Sequence, residues 1–411
     1  MPATSIKWAL CLLATAATRA CGDDWPQWRG PHRDGTVSNV SEPAAWPERL
    51  QLRWKVAVGE GYASPILANG RLFVFTRLGG KEVVSSIDPE NGKLIWQESY
   101  TAPYRVNPAA VQHGAGPKST PVVAAGRLYT FGISGILTCW DASKGALRWR
   151  KDFGKQYRET SPLYGVATSP LVDRGLVIAH VGGNDDGALT AFDAESGDVR
   201  WRWAGDGPGY ASPIVVELGG VRQIVTETQS NITAVSAADG RLLWKIPFTT
   251  EYVQNIPTPL VYDGLLIFSG VSKGILGVRA SEKRGIWAGE IVWHNTGLAL
   301  YMSSPVAAGD LLFGFSHYKK GQFFCADPRT GATRWTSPPR QGDNAAALVS
   351  GEHLILLKDD AELIIAKAAG DAFEPLHHYR VADTPTWAHP VVLRNGVAIK
   401  DATTLAFWSV D

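Results

Sequence analysis

The sequence predicts an all-β fold, an eight-bladed β-propeller of four-stranded antiparallel blades. Three observations predict it: a repeat with a period of about 40–50 residues, strand–turn–strand patterns inside each repeat, and no long segment of helical periodicity after the first twenty residues. Repeats of this length are typical of propellers and solenoids, in which each unit buries its apolar faces only against its neighbours. Four strands in each of eight repeats would form a closed ring.

The composition excludes several classes of protein. The chain has 411 residues, of which 45% are hydrophobic and 19% charged, so it can bury a large core and is not a disordered protein. Lys plus Arg number 40 and Asp plus Glu 39, which gives a formal net charge of +1. This balance argues against a nucleic-acid partner and against binding to anionic membranes through an excess of positive charge.

The first twenty residues have the pattern of a secretory signal peptide. Lys7 supplies the positive charge, residues 8–17 form a short apolar run, and Ala20 stands at the predicted cleavage site. A membrane-spanning helix would need about 20 apolar residues. We therefore expect export, to the periplasm or in association with the outer membrane.

The residue after this cleavage site is Cys21. It could carry a lipid, as in bacterial lipoproteins, or it could be the plain first residue of the mature chain. Arg19 stands where a lipoprotein signal usually has a small residue, so both alternatives stay open. Contact with a membrane is expected only through such an anchor.

A tryptophan near the end of most repeats follows a glycine by four residues, and in five copies an Asp or Ser precedes that glycine by four. The Asp or Ser side chain can cap a turn, and glycine can adopt a positive φ. Because a buried Trp hides about 150–250 Å², we predict that these residues pack between blades rather than stack on a cofactor. The apolar residue two positions earlier should share the face of the tryptophan. The tryptophans are Trp96, Trp149, Trp201, Trp244, Trp293 and Trp335.

A small residue followed by proline opens most repeats and leads into two apolar runs separated by a turn, the pattern of a β-hairpin. A weaker copy without the proline occupies residues 345–357. The other pairs are Ser64–Pro65, Thr120–Pro121, Ser169–Pro170, Ser212–Pro213, Thr258–Pro259, Ser304–Pro305 and His389–Pro390.

The two ends of the chain are predicted to share the last blade. The last repeat has only three strand patterns, and residues 52–58 form an isolated one with Trp54 in the repeat position. Pairing them would close the ring and remove an exposed sheet edge. The predicted domains are a signal peptide (1–20), an extended N-terminal arm lying on the propeller and anchored by Trp25, Trp28 and Trp46 (21–50), and the propeller (51–411).

These phrases resemble a known family. Residues 191–201 (AFDAESGDVRW) and 209–213 (GYASP) are similar to the pyrroloquinoline-quinone (PQQ) repeat, and residues 25–31 (WPQWRGP) resemble the start of exported bacterial PQQ-like propellers. The resemblance covers nearly the whole chain after the leader and implies the propeller fold. The superfamily contains quinoprotein alcohol dehydrogenases and also non-catalytic propellers, similar to the lipoprotein of the outer-membrane β-barrel assembly machinery, so the function stays open.

The resemblance implies which parts a quinoprotein dehydrogenase would need: a vicinal Cys–Cys pair, a Ca²⁺ ion held by carboxylate and amide groups, and a catalytic Asp. This sequence has no Cys–Cys pair and is shorter than those enzymes. We therefore predict no catalytic residue, no metal ligand and no cofactor. PQQ with Ca²⁺ is the alternative.

The segments that precede the first strand of each repeat supply the candidate ligand site. The first strand of a blade lines the propeller axis, so these segments meet at one mouth of the channel. Aromatic rings with a few polar groups could hold a planar ligand or a peptide there; alternatively, the tyrosines plug the hub. The aromatic candidates are Tyr62, Tyr164, Tyr210, Tyr252, Tyr301 and Trp387, and the polar ones are His113, Lys118, Arg158, Asn255, Asn344 and His389.

Two functional hypotheses follow. The first is an exported, non-catalytic binding or scaffold module for a protein partner or a small planar ligand at the channel mouth. The second is a PQQ-dependent dehydrogenase that oxidises an alcohol or a sugar, with the quinone in the axial funnel. We favour the first because a fold shared by repeats does not carry a mechanism with it.

Overall fold

A computed structural model of the protein describes residues 24–38 and 45–411. The predicted signal peptide and Cys21 lie outside the described residues. The described chain forms eight antiparallel sheets, and each has four strands of the ring. The only helical elements in this part are four short 3₁₀ turns. No helix among the described residues is long and apolar enough to cross a membrane. The predicted eight-bladed propeller is confirmed.

Each blade runs from an inner strand at the axis, the hub, to a fourth strand at the rim. The strands of blades 1 to 4 are, in turn, Ile66–Ala68, Arg71–Leu78, Lys81–Ile87 and Leu94–Thr101; Val122–Ala124, Arg127–Phe131, Ile136–Asp141 and Leu147–Asp152; Leu171–Asp173, Leu176–Gly183, Asp186–Asp193 and Val199–Trp203; and Ile214–Leu218, Val221–Glu227, Asn231–Ser236 and Leu242–Pro247.

Blades 5 to 8 repeat this order. Their strands are Leu260–Tyr262, Leu265–Ser269, Ile275–Lys283 and Ile286–Asn295; Val306–Ala308, Leu311–Ser316, Gln322–Ala326 and Thr333–Thr336; Ala345–Ser350, His353–Lys358, Glu362–Lys367 and Pro375–Arg380; and Val391–Leu393, Gly396–Lys400, Thr404–Ser409 and Gln51–Ala57. The 3₁₀ turns are Pro108–His113, Phe153–Lys155, Glu251–Val253 and Tyr318–Lys320.

The ring closes as the sequence predicts. Gln51–Ala57 pairs antiparallel with Thr404–Ser409 and becomes the rim strand of blade 8. Trp54 stands opposite Phe407 in this pairing. The first propeller strand therefore completes the last blade, so the ring has no unpaired edge at its closure.

Every rim strand except that of blade 7, Pro375–Arg380, carries a tryptophan that packs against the next blade. The indole N–H of Trp149 donates to the carbonyl of Ala194 in blade 3 at 3.2 Å, and that of Trp201 donates to the carbonyl of Ala237 in blade 4 at 3.0 Å. Each carbonyl belongs to the Asp–Gly or Ser–Gly turn of the neighbour. The predicted role between blades is therefore what the structure shows. The same type of bond is made by Trp54, Trp96 and Trp335.

The turn glycine is required for two separate reasons. Gly240 has a φ of +72°, which side chains other than glycine rarely adopt. A Cβ atom at Gly240 would also lie 2.5 Å from Cε3 of Trp201 in the preceding blade. Gly197 stands in the same relation to Trp149, at 2.8 Å from its Cδ2. The glycine of one repeat thus makes room for the tryptophan of the repeat before it.

Blade 5 keeps this contact although its Asp–Gly turn is lost. Its last two strands, Ile275–Lys283 and Ile286–Asn295, extend into a long ribbon where the sequence repeat breaks down. Gly289 in the ribbon takes the place of the turn glycine, because a Cβ atom there would lie 2.7 Å from Cε3 of Trp244.

A β-bulge precedes the rim tryptophans. In blade 2 the strand register shifts between Leu147 and Trp149. Leu94, Leu147 and Val199, each two residues before a tryptophan, are 57%, 50% and 54% exposed. The expectation that these residues share the buried face of the tryptophan is wrong, because the bulge adds one residue and breaks the alternation.

The hydroxyl residues before the prolines link neighbouring blades at the hub. The backbone N–H of Ser64 donates to Oγ1 of Thr120 at 3.1 Å, that of Thr120 to Oγ of Ser169 at 2.9 Å, and that of Ser169 to Oγ of Ser212 at 2.9 Å. This chain of bonds explains why the repeat keeps a small hydroxyl residue at this place. Two further links run from Thr258 to Ser304 and from His389 to Ser64.

The N-terminal arm has two described parts, residues 24–38 and 45–50, and the first enters the axial channel. Asp24 accepts a hydrogen bond from the N–H of Asn69, in the turn that ends the inner hairpin of blade 1. Trp25 then pairs with Leu67, and Thr36–Val37 pairs in parallel with Ala345–Ser350 of blade 7. The arm therefore inserts from the base of the ring, turns back near the mouth and leaves towards the base. We expected the arm to lie on the propeller, which holds for Trp46, packed on Tyr379 of blade 7 at 6.5 Å between ring centroids, but not for residues 24–38.

Two arginines hold the tip of this arm inside the hub. Arg29 donates to the carbonyls of Asp34, at 2.7 Å, and of Pro305. Arg33 donates to the carbonyls of Ser169 and Pro170, both at 3.0 Å. Burial lowers the pKa of Arg29 to about 10 and that of Arg33 to about 9, so both stay charged at neutral pH.

A glycine-to-alanine pair tests the contact between blades. Gly240→Ala should lower the free energy of unfolding by about 3 kcal/mol, because it adds a left-handed penalty to the displacement of Trp201. Gly264→Ala is the control, since Gly264 has a φ of +75° with no atom near the added Cβ. It should lose only about 1 kcal/mol. Denaturant unfolding measures both, and equal losses would contradict the packing role.

The arm arginines can be tested in the same way. Arg33→Met should lower the free energy of unfolding by about 2 kcal/mol, because it strands buried carbonyl groups without a donor. Arg53→Met is a matched control on the exposed rim strand of blade 8, and it should change little. If both variants unfold at the same denaturant concentration as the parent, the arm is not fixed by Arg33.

Candidate functional site

A cavity of about 550 Å³ opens at the mouth of the axial channel, where the chain enters the inner strands. This volume lies within the range of pockets that bury a small ligand. Aromatic side chains form most of its wall, because the segments that enter the blades converge at this point. The aromatic residues are Trp28, Tyr62, Tyr164, Tyr210, Tyr252, Tyr301 and Trp387.

Most of the residues predicted to bind a ligand are brought together in this cavity. Besides the aromatic residues of the prediction, they include His113, Lys118 and Asn344. Asn255 and His389 do not line it, and Arg158 is an exposed residue outside it. Whether a ligand binds to the assembled group stays a prediction.

Asn255 instead fastens the loops behind the wall. Its side-chain amide donates to the carbonyls of Thr228, at 2.7 Å, and Phe248, at 3.1 Å, and its Oδ1 accepts from the hydroxyl of Thr250 at 2.8 Å. The side chain of Asn255 thus bonds to other groups of the protein itself. Asn255 therefore fixes the shape of the mouth rather than facing its interior.

The floor of the cavity is Trp28, from the N-terminal arm. Its indole N–H donates to Oγ1 of Thr258 at 2.7 Å, and its ring lies 4.4 Å from the ring of the buried His389. Burial, and to a lesser degree Arg29, lowers the pKa of His389 to about 3, so the imidazole is neutral. Because the arm fills the hub below Trp28, the cavity is blind.

Sequence reasoning missed Trp28 as a site residue. It was assigned to the arm, and nothing in its local sequence reveals that the arm enters the channel. Gln112 and Gln254 also line the cavity and were missed. Both lie in segments that lead into an inner strand, which was the available signal.

Lys118 is the only charged side chain among the described residues that line the cavity. Its Nζ donates to the carbonyl of Tyr164 at 2.9 Å. Burial lowers its pKa to about 8. Burial and the neighbouring Lys118 lower the pKa of His113 to about 4, so His113 is neutral at pH 7. The cavity therefore contains a single positive charge in an aromatic setting.

The aromatic wall is fixed by its own contacts. The hydroxyl of Tyr210 accepts the backbone N–H of Tyr164 at 3.0 Å, and the amide of Gln254 donates to the hydroxyl of Tyr301 at 3.1 Å. Burial raises the pKa of Tyr210 and Tyr301, so both phenols are neutral. The tyrosines thus bond to neighbouring loops and still leave an open cavity.

Three rings, those of His113, Trp387 and Tyr62, lie together at one side of the cavity. The ring of His113 lies 4.6 Å from that of Trp387 and 6.3 Å from that of Tyr62, edge-on to both. Across the mouth, Tyr252 is 67% exposed and has a φ of +54°. Such a backbone conformation is strained for a bulky residue, and strain of this kind collects at functional sites.

The donor groups suit a planar anion better than a metal ion. No Asp or Glu is among the described residues that line the cavity. Across residues 24–38 and 45–411, no group of three His, Cys, Asp or Glu is placed to hold a metal. Ca²⁺ prefers carboxylate and carbonyl oxygens. The aromatic rings and Lys118 would fit a quinone, but the lining does not fit the Ca²⁺ ion that quinoprotein dehydrogenases are implied to need.

Comparison with known families identifies the chain. The family model described as outer membrane protein assembly factor BamB matches residues 80–337, which is more than half of the sequence. The chain belongs to the BamB family. The resemblance inferred from the repeat phrases is confirmed.

Curated relatives of this BamB-family chain fall into two groups. BamB of Yersinia pestis is 23% identical over 265 residues, which cover 64% of this chain and 61% of that protein. The quinohemoprotein alcohol dehydrogenase ADH-IIG of Pseudomonas putida is 28% identical over 168 residues, 39% of this chain and 21% of that enzyme. The chain thus matches about three fifths of the first relative and one fifth of the second.

Solved structures show the same two groups. BamB from Moraxella catarrhalis superposes with a TM-score of 0.61 at 17% identity and covers 88% of this chain and 99% of that one. The quinohemoprotein alcohol dehydrogenase of Comamonas testosteroni superposes with a TM-score of 0.68 at 15% identity. The match covers 94% of this chain and 80% of that one. At these identities the likeness shows a shared fold alone.

The amine of Lys118 should titrate near pH 8 rather than near its ordinary value of 10.5. The cause is the partial removal of water from the ammonium form. NMR of ¹³C-dimethylated protein measures this titration, and Lys118→Arg assigns the resonance by removing it. If the assigned signal titrates near 10.5, the lysine is more exposed to solvent than the cavity geometry requires.

Proposed function

We propose that this protein is an exported, non-catalytic propeller that acts as a binding or scaffold module in the manner of BamB. Its place would be the periplasm, facing or attached to the outer membrane. The observation that carries the proposal is the blind aromatic cavity at the channel mouth. We further propose that a protein partner docks a part of its chain there.

Rigid side chains favour binding over chemistry at this site. The hydroxyl groups of Tyr210 and Tyr301 are already hydrogen-bonded within the wall, so little freedom of these side chains would be lost when a partner binds. Large flat surfaces with a polar edge are typical of recognition sites. The amides of Gln112 and Gln254 line the same cavity and suit the peptide groups of a partner.

The relatives support a protein as the partner. The matched family and the Yersinia pestis protein are named as factors in the assembly of outer membrane proteins. Such a role requires contact with other polypeptides. The near-zero net charge of the chain also suits a protein partner better than a nucleic acid.

A PQQ-dependent dehydrogenase is the second candidate. The aromatic wall with Lys118 and the 28% identity to the Pseudomonas putida enzyme favour it. Two observations weigh against it: the described cavity lining contains no carboxylate for Ca²⁺, and the match covers only 21% of that enzyme. We therefore place it second.

Site-directed photocrosslinking tests the first candidate. A photoreactive phenylalanine at Tyr252, on the cavity rim, should give a discrete polypeptide adduct in an envelope extract, and Trp387→Ala should suppress it. Leu94 is the control position, because it is 57% exposed on the rim strand of blade 1. An adduct that forms equally from both positions, or that survives Trp387→Ala, would contradict docking in the cavity.

Reconstitution tests the second candidate on the same protein. Added PQQ and Ca²⁺ should give neither a quinone absorbance shift nor dye reduction with alcohols or sugars. Dye reduction that is lost in Lys118→Met would reverse the order of the two candidates.

A further inference from the structure

We infer that the cavity captures the carboxyl terminus of a polypeptide, with the terminal carboxylate on the ammonium group of Lys118 and the last side chain, aromatic or large and apolar, among the rings. This inference rests on the proposed function and names the part of the partner that enters the site. It is carried by the shape, the charge and the wall of the cavity.

The shape selects a chain end. Trp28 closes the floor and is fixed by its bond to Thr258 at 2.7 Å. Below it, Arg29 and Arg33 fill the hub and bond to backbone carbonyls of the ring. A partner segment therefore cannot pass through the channel and must enter and stop. A terminus satisfies this geometry without a tight reversal of the backbone.

The charge selects the carboxyl end over the amino end. Lys118 is the sole charged group of the described lining, and it forms no ion pair with any described residue. Its bond to the carbonyl of Tyr164 uses one of three N–H donors, so two remain for an incoming acceptor. The guanidinium groups of Arg29 and Arg33 lie beneath the floor and add positive potential, which the carboxylate of Asp34 beside Arg29 offsets in part. An α-ammonium group would be repelled here, whereas a carboxylate would be attracted.

The wall selects the terminal side chain. Beside Lys118, His113 is neutral and stands edge-on to Trp387 at 4.6 Å and to Tyr62 at 6.3 Å. Aromatic edges of this kind pack favourably on another ring. A charged or strongly polar side chain would lose its hydration among these rings without a matching partner. A large apolar or aromatic residue is therefore expected at the end of the captured chain.

A free aromatic acid carries the same carboxylate and ring as a peptide that ends in phenylalanine. The two sources differ in the peptide groups that precede the terminal residue. Gln112, Gln254 and Asn344 also line the cavity, and their side-chain amides can exchange hydrogen bonds with such groups. A peptide should therefore bind more tightly than the free acid.

Calorimetry with the full mature protein tests the inference. The probes are an acetylated pentapeptide of four alanines and a terminal phenylalanine, the same peptide with its carboxyl group amidated, and N-acetylphenylalanine. The free-carboxylate peptide should bind at least tenfold more tightly than its amide, because a charge-assisted bond is lost in the amide. It should also bind more tightly than N-acetylphenylalanine.

Variants of the lysine separate charge from shape. Lys118→Met should bind both peptides with the affinity that the parent has for the amide, and Lys118→Arg should keep the preference for the acid. Lys144→Met, at an exposed turn of blade 2, is the matched control and should bind as the parent does. Thermal unfolding of each variant shows that it is folded before it is titrated.

Several results would overturn the inference. Equal binding of acid and amide by the parent, or an undiminished preference in Lys118→Met, would remove the role of Lys118. N-acetylphenylalanine binding as tightly as the peptide would make a small aromatic acid the ligand. If the cavity still crosslinks a polypeptide through Tyr252 in these cases, the scaffold function stands and only the carboxyl-terminal mode falls.

Discussion

The contact between a rim tryptophan and the turn glycine of the next blade is the interaction on which this ring depends. A single blade is a small sheet with two apolar faces and cannot be stable alone. Trp201 fills the space above Gly240, and its N–H bonds to the carbonyl of Ala237 in the same turn. Blade 4 is thereby positioned against blade 3 by a filled volume, a hydrogen bond and a backbone conformation, and other blade pairs share some or all of these features. The repetition of this contact sets the angle between blades, and so the width of the hub.

The sequence reveals this part of the fold because both partners recur at a fixed spacing. It cannot reveal the bulge before Trp149, since a bulge changes strand register without changing residue type. The path of the arm is hidden for another reason. Arg29 and Arg33 are residue types usually found at the surface, and only the unpaired carbonyls of the ring, contributed by distant residues such as Pro170 and Pro305, explain their burial.

The candidate site is predictable to a similar degree. The propeller topology alone brings the segments before the inner strands to one mouth, so the tyrosines and Lys118 could be named from the sequence. The direction of each side chain could not. Asn255 bonds to the loops behind the wall, and His389 lies under the floor against Trp28, and both partners are distant in the sequence.

The entry of the arm at the base gives the molecule a polarity. Asp24 meets the ring at the turn of Asn69, on the side away from the cavity, and Cys21 stands only three residues earlier in the sequence. If an anchor were attached at Cys21, it would hold the propeller by the base of the ring. The cavity opening, which Lys118 and the tyrosines surround, would then face away from the surface that carries the anchor. A partner could reach the cavity without approaching that surface.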